Sequence, residues 1–166
     1  RHLPRLNLED GIPENLRTFI VVPTMIHNIS RIDEQLQQLE IHYLSNPKGD
    51  VFFAMLTDWY DSDQALSPHD LKVLDSVAPK LKRLNEKYPA RQDGQLRFYV
   101  YHRQRKFNPS EGKWIGWERK RGKLHEFNRM LRGAKDTSYI SIDGKEILVP
   151  TGVKYVITLD ADTKLP

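Results

Sequence analysis

Apolar positions in this chain fall into two patterns that take turns along it. Thr18-Phe19-Ile20-Val21-Val22-Pro23 and Val51-Phe52-Phe53-Ala54-Met55-Leu56-Thr57 are continuous apolar runs with β-branched bias. Such runs mark strands buried on both faces, as in parallel sheets. Between them, Ile32, Leu36, Leu39 and Tyr43 recur at helical spacing. One amphipathic helix follows, with Ser30 expected as its N-cap, Asp33 and Glu34 in its first turn, and Asn46-Pro47-Lys48-Gly49 as its end.

Ser67-Pro68-His69-Asp70 opens a second helix, with Ser at the cap and Pro at the first helical position. Leu71, Leu74, Ala78 and Leu81 carry its stripe, and Pro79 is expected to kink it or split it in two. Leu96–Tyr101 reads as a third strand after the Asp93-Gly94 turn. A third helix runs to about Arg132, with Leu124, Phe127 and Leu131 on one face and Gly133 as its stop. Tyr139–Val149 reads as a hairpin around Asp143-Gly144. Lys154–Thr163 is the last strand and runs into Asp160 and Asp162.

Strands alternating with helices predict an α/β fold: a mostly parallel sheet with helices on both faces, Rossmann-like in its winding. Residues 1–17, with two prolines and few periodic apolar positions, read as a linker or arm, and 18–166 as one globular unit. Sheets of this kind bind ligands beyond the carboxyl ends of their strands, where strand order reverses. The loops after Val22, Thr57, Tyr101 and Leu159 would share that edge.

Composition narrows the chemistry. The 166 residues contain no cysteine, which removes disulfides, thiol catalysis and cysteine-bound metals. No apolar run reaches the roughly 20 residues of a membrane helix. The first residue is Arg and the last follows the acidic motif, so the sequence reads as a segment of a longer protein. Net charge is +4, but residues 102–123 hold eight Lys/Arg against two acids, so the remainder is net negative. A local basic block implies an anionic partner.

The Gly-rich fingerprints of dinucleotide-binding folds and P-loops are absent. Asp160 and Asp162, two apart in a strand, would aim to one side. Such a pair is either a solvated turn or half of a site for a hard divalent cation that shares its ligand shell with phosphate oxygens. Asp58, at the end of the second strand, is an acceptor for a base or ribose edge, or else it and Asp61 are turn residues. Arg119, Arg121 and Lys123 stand at the entry of the third helix. There they oppose the helix dipole unless an anion joins them. The same block also suits a solvated basic face or a nucleic-acid patch, with Trp114 and Trp117 for stacking. The two groups together describe a nucleoside-diphosphate site without a P-loop.

Four stretches carry a further likeness: Gly11-Ile12-Pro13-Glu14, Val21-Val22-Pro23-Thr24-Met25, Gly116–Arg129 with its W-E-R-K-R-G-K-L run, and Thr158-Leu159-Asp160-Ala161-Asp162-Thr163. They resemble the glycosyltransferase domain of cyclic β-1,2-glucan synthases, over almost the whole chain. The resemblance implies the nucleotide-binding half of a GT-A fold and inverting transfer of glucose from UDP-glucose to a β-1,2-glucan acceptor. It implies that Pro23 and Thr24 line the uridine pocket, that Asp58 sits near uracil and that Lys123 approaches the nucleotide. It also implies that Asp160 and Asp162 hold Mg²⁺ or Mn²⁺. The Thr57–Asp63 stretch departs from the family's usual acidic pair.

The family's enzymes are large inner-membrane proteins with the transferase facing the bacterial cytoplasm. Their remaining domains would be partners of this segment. Their catalytic base follows the D-x-D strand, so no base is assigned here and the segment is expected to bind donor without turnover. Nucleic acid is not the expected partner; a nucleic-acid module using Arg103–Lys123 is the competing reading. A third is an inactive piece whose exposed last strand pairs two copies into a dimer.

Overall fold

The structure, a computed structural model, describes residues 16–45 and 49–161. It contains β1 (Thr18–Ile26), α1 (Ile29–Ser45), β2 (Val51–Trp59), α2 (Pro68–Asp75), α3 (Val77–Lys87) and β3 (Phe98–Arg103). There follow β4 (Lys106–Asn108), β5 (Lys113–Ile115), α4 (Arg119–Leu131), β6 (Tyr139–Ile140) and β7 (Tyr155–Thr158). Five strands form one sheet in the order β6-β3-β2-β1-β7. β1, β2, β3 and β7 are mutually parallel and β6 is antiparallel at one edge. The α/β reading therefore holds.

The continuous apolar runs are explained by two cores, one on each face. Alternate residues Ile20, Val22, Phe53, Met55 and Val100 pack with Ile32, Leu36 and Leu39 of α1 and Val73, Val77 and Leu84 of α2 and α3. The intervening Phe19, Val21, Phe52, Leu56, Tyr99 and Tyr101 pack with Phe127 and Met130 of α4. Period-two alternation across a sheet covered on both faces leaves no polar face to show in the sequence.

Several local expectations are corrected. Asn28, not Ser30, caps α1: its Oδ1 accepts from the Arg31 amide at 2.8 Å, so Asp33 and Glu34 fall beyond the first turn. The second helix does divide, but at Ser76, while Pro79 sits in the first turn of α3. There its missing N–H costs nothing. Ser67 and Asp70 form the reciprocal capping box at α2. Residues 139–149 are not a hairpin. Only Tyr139 and Ile140 are strand, and they pair with β3. The Asp143 turn is held by the Lys145 amide instead. A hairpin does occur where none was expected, at β4–β5 inside the basic block.

The last strand ends at Thr158, with one more ladder bond from the Leu159 amide to the Val21 carbonyl. Asp160 thus lies in the loop, and strand alternation no longer relates it to Asp162. Asp162 falls outside the described residues, as does nearly all of the arm assigned to 1–17. Among the described residues, no strand pairs with the outer edge of β7.

The chain goes from β1 outward through β2 and β3, then returns to place β7 on the other flank of β1. Strand order reverses between β1 and β7, so their carboxyl ends open the crevice where such folds take ligands.

Candidate functional site

At that edge lies a cavity of about 250 Å³, lined among others by Pro23, Thr24, Asp58, Arg119, Lys120 and Lys123. The strand ends contribute Pro23, Thr24 and Met25 from β1 and Asp58 and Trp59 from β2; Asp61, Gly116 and the start of α4 complete it.

Beneath it is a buried charge network centred on Arg103. The parallel register sets His102 opposite Thr57, and one step further on Arg103 meets Asp58. Arg103 Nε donates to Asp58 Oδ1 at 2.8 Å and Nη2 to Oδ2 at 3.0 Å, a two-pronged pair. Its Nη1 donates to Glu126 Oε1 at 2.9 Å and to the Trp117 carbonyl, and Nη2 also donates to the Arg119 carbonyl. All five N–H donors are used. Glu126 Oε2 accepts from the Ser138 amide at 2.7 Å, which ties in the chain before β6. Lys123 Nζ donates to the Thr24 carbonyl at 3.0 Å and lies 3.2 Å from Asp58 Oδ2. Burial lowers the Lys123 pKa, and the Asp58 charge opposes that shift.

The two carbonyls that Arg103 holds belong to a strained turn. Glu118 and Arg119 have φ of 51° and 50°, the left-handed region, which costs non-glycine residues of order 1–3 kcal/mol each. The turn aims Arg119 and Lys120 outward at the cavity. Arg119 forks between Asp61 at 3.0 Å and Glu111 at 3.1 Å, and Lys120 Nζ donates to Asp160 Oδ1 at 2.8 Å. That hydrogen bond holds the Asp160 pKa below its ordinary value. The acidic loop after β7 and the basic entry to α4 are therefore on one side of the molecule.

No family model matches the chain. It is 49% identical over 156 residues, 94% of its length, to the cyclic β-(1,2)-glucan synthase NdvB of Rhizobium meliloti (strain 1021), of which it spans 5%. The chain is homologous to a small part of a cyclic β-(1,2)-glucan synthase.

Against that homology, the sequence-derived residues divide. Pro23, Thr24, Asp58, Arg119 and Lys123 line one cavity, and Asp160 meets it through Lys120. Arg121 is exposed and outside the cavity lining. Asp58 is 3% exposed, not a solvated turn residue, and both its oxygens are engaged by Arg103 and Lys123. Asp160 offers one exposed hard oxygen donor group. Among the described residues no cluster of three metal-ligating side chains exists. This donor set fits only a cation whose shell is completed by ligand oxygens.

Two contributors escaped the sequence reading. Arg103 belongs by position to the basic block, yet it is buried; its signal is a cation at the end of an apolar strand beside a strand ending in Asp58. Lys120, not its neighbour Arg121, is the cation that reaches the cavity and Asp160. The block itself is largely paired: Arg103, Arg105, Arg119, Lys120 and Lys123 all face acids, with Arg105 held by Asp70 at 2.8 Å. Among the described residues no helix is long and apolar enough to cross a membrane.

Beside Trp59 of the cavity wall, His102 is fully buried, with Nδ1 2.7 Å from Thr57 Oγ1 and Nε2 without a partner among the described residues. Burial pushes its pKa down to about 3. The unfolded chain takes up this proton near pH 6.5 while the folded chain refuses it. Stability is thus fully present above that pH and falls as pH drops towards 3. Between pH 7.5 and 5.5 the urea unfolding free energy should fall by about 1 kcal/mol through this residue. In His102→Gln the slope over that window should flatten; an unchanged slope refutes the assignment.

Proposed function

We propose that this segment binds the nucleoside-diphosphate end of a sugar donor, UDP-glucose, as the donor half of a GT-A-type glucosyltransferase acting in β-1,2-glucan synthesis. What carries the reading is the convergence of Thr24, Arg119 and Lys120 on one cavity at the sheet's switch point, with Asp160 brought to its edge by Lys120. Homology to a small part of a cyclic β-(1,2)-glucan synthase supports the choice of donor and product.

In this reading the Pro23–Thr24 backbone and the apolar wall of Met25 and Trp59 receive the nucleoside. Lys120 exchanges Asp160 for a phosphate oxygen, and Arg119 stands beside it. Charge that grows on a leaving diphosphate is thereby met by fixed cations, which favours departure. Lys123 works from below, by fixing the Thr24 carbonyl and neutralising Asp58. Asp160, with Asp162 as its proposed companion, would hold Mg²⁺ or Mn²⁺; the cation supplies further charge neutralisation to the diphosphate. Asp58 is committed to Arg103 and Lys123, Asp61 to Arg119, and Asp160 to the divalent cation proposed above, so none is set up as the catalytic base. Binding without turnover is the expected behaviour. The large size of the relative makes its other segments the natural partners of this one, at the cytoplasmic membrane face.

A nucleic-acid reading has less support. Of the eight cations in residues 102–123, only Lys106, Lys113 and Arg121 lack an acid partner among the described residues. A phosphate backbone needs a track of available cations.

Calorimetry with UDP-glucose, with and without Mn²⁺, tests the proposal. Lys120→Ala should weaken binding about tenfold or more, the scale of one charged hydrogen bond. Arg121→Ala should change it less than twofold, and Asp160→Asn should abolish the Mn²⁺ dependence. Equal affinity in the wild type and Lys120→Ala would overturn it.

A further inference from the structure

A second cleft, about 480 Å³, lies on the far side of Arg119 from the donor cavity. One wall is the β4–β5 hairpin, with Phe107 and Glu111; the other is the strained turn, with Trp117 and Glu118. Phe107 is 52% exposed and Trp117 43%, which is high for such rings. The hairpin that presents Phe107 is rigidly mounted. Ser62 and Trp114 exchange backbone hydrogen bonds at 3.0 and 2.8 Å, Phe107 packs on Trp114 at 5.5 Å, and Arg119 reaches Glu111. The neighbouring Arg105 is anchored to the Tyr60 carbonyl and Asp70. Trp117 is presented by the turn that Arg103 clamps.

The charges in this cleft cancel: Lys106 and Arg119 against Glu111 and Glu118. Lys106 and Glu118 have no side-chain partner among the described residues, so a donor and an acceptor stand ready for an incoming ligand. Balanced charge disfavours a polyanion. Half-exposed rings and hydroxyl-binding groups lining one cleft suit a neutral, polyhydroxylated ring, whose C–H faces pack on aromatic side chains while its hydroxyls reach the charged groups.

We infer that this cleft is a saccharide subsite that receives a glucan chain, with Phe107 and Trp117 as its stacking platforms and Arg119 as the wall shared with the donor cavity. The assignment of a glucan, as opposed to another sugar, rests on the proposed function. Since Arg119 contacts both Asp61 on the donor side and Glu111 on the cleft side, the two sites are adjacent, as donor and acceptor must be.

Titration of the chain with β-1,2-linked glucooligosaccharides, followed by backbone amide NMR shifts, tests this. Shifts are expected at residues 106–119. Phe107→Ala and Trp117→Ala should each weaken oligosaccharide binding about fivefold to tenfold and leave UDP affinity within twofold. Phe107→Tyr should retain it. Both rings are exposed, so the variants should melt close to the wild type. Absence of saccharide binding in a chain that binds UDP, or binding indifferent to both substitutions, overturns the subsite. Saccharide binding without UDP binding leaves the subsite standing and removes the donor reading. Preference for single-stranded RNA at these residues overturns the choice of occupant.

Discussion

Arg103→Met should cost the protein about 3–5 kcal/mol, the scale for removing one partner of a buried ion pair. For a domain of this size that is a fall of roughly 6–20 °C in melting temperature. The guanidinium is buried and satisfies two carboxylates and two carbonyls. Burial is the largest single influence and opposes the Arg103 charge, but the hydrogen bonds and charge of Asp58 together with the Glu126 hydrogen bond leave the pKa raised. Methionine fills similar volume and supplies none of the five donors. Glu126 is then left buried with the Ser138 amide alone, and the Trp117 and Arg119 carbonyls lose their partner. Lys123 still faces Asp58, which keeps the loss from being larger. Urea unfolding of the two proteins at pH 7 measures the difference. A loss under 1 kcal/mol would mean that the network is a bystander. Arg103→Lys should recover little, because one ammonium cannot span Asp58, Glu126 and two carbonyls.

The same residue marks where sequence reasoning stops. The strands β1 and β2 were legible because burial on both faces leaves an unbroken apolar run. The N-cap at Ser67 was legible because its chemistry is local. Charge in the 102–123 block was not. A charge count cannot distinguish a cation facing solvent from one facing a carboxylate 45 positions away, as Arg103 faces Asp58. That pairing is set by parallel register, which is a long-range property. The β4–β5 hairpin was hidden for a related reason. Its strands are three residues each, too short for alternation to register, and a bridge to Ser62 fixes them. Arg121 and Lys120 are equivalent in the sequence because both stand in the same basic run, and only the direction of α4 decides which of them meets Asp160. Likewise, the common side expected of Asp160 and Asp162 assumed a strand that stops at Thr158.

Gly122→Ala should destabilise the protein, against the helix-propensity rule. In an exposed helix the change would be worth up to about 1 kcal/mol of stabilisation. Gly122 lies in the first turn of α4, and its neighbours leave no room. A Cβ there would stand 2.0 Å from the Trp117 carbonyl oxygen and 2.8 Å from Glu118 Cβ. The carbonyl cannot swing away freely, because it is held by Arg103 Nη1 at 3.0 Å. Nor can the turn relax by rotation, since Glu118 and Arg119 are already in the left-handed region. Either the Arg103 hydrogen bond breaks or the first turn of α4 unwinds. Overpacking of this kind costs about 1–3 kcal/mol, and the lost hydrogen bond adds to it. A net loss of roughly 3 kcal/mol is therefore expected in thermal or urea unfolding. Ligand binding should suffer as well as stability, because Arg119 and Lys120 are aimed by this turn. UDP-glucose affinity should fall by about the same factor as in Lys120→Ala, although Gly122 itself carries no group that could touch the donor. If the alanine variant melts above the wild type, the close approach of Gly122 to the turn is wrong, and with it the account of how the cations reach the cavity.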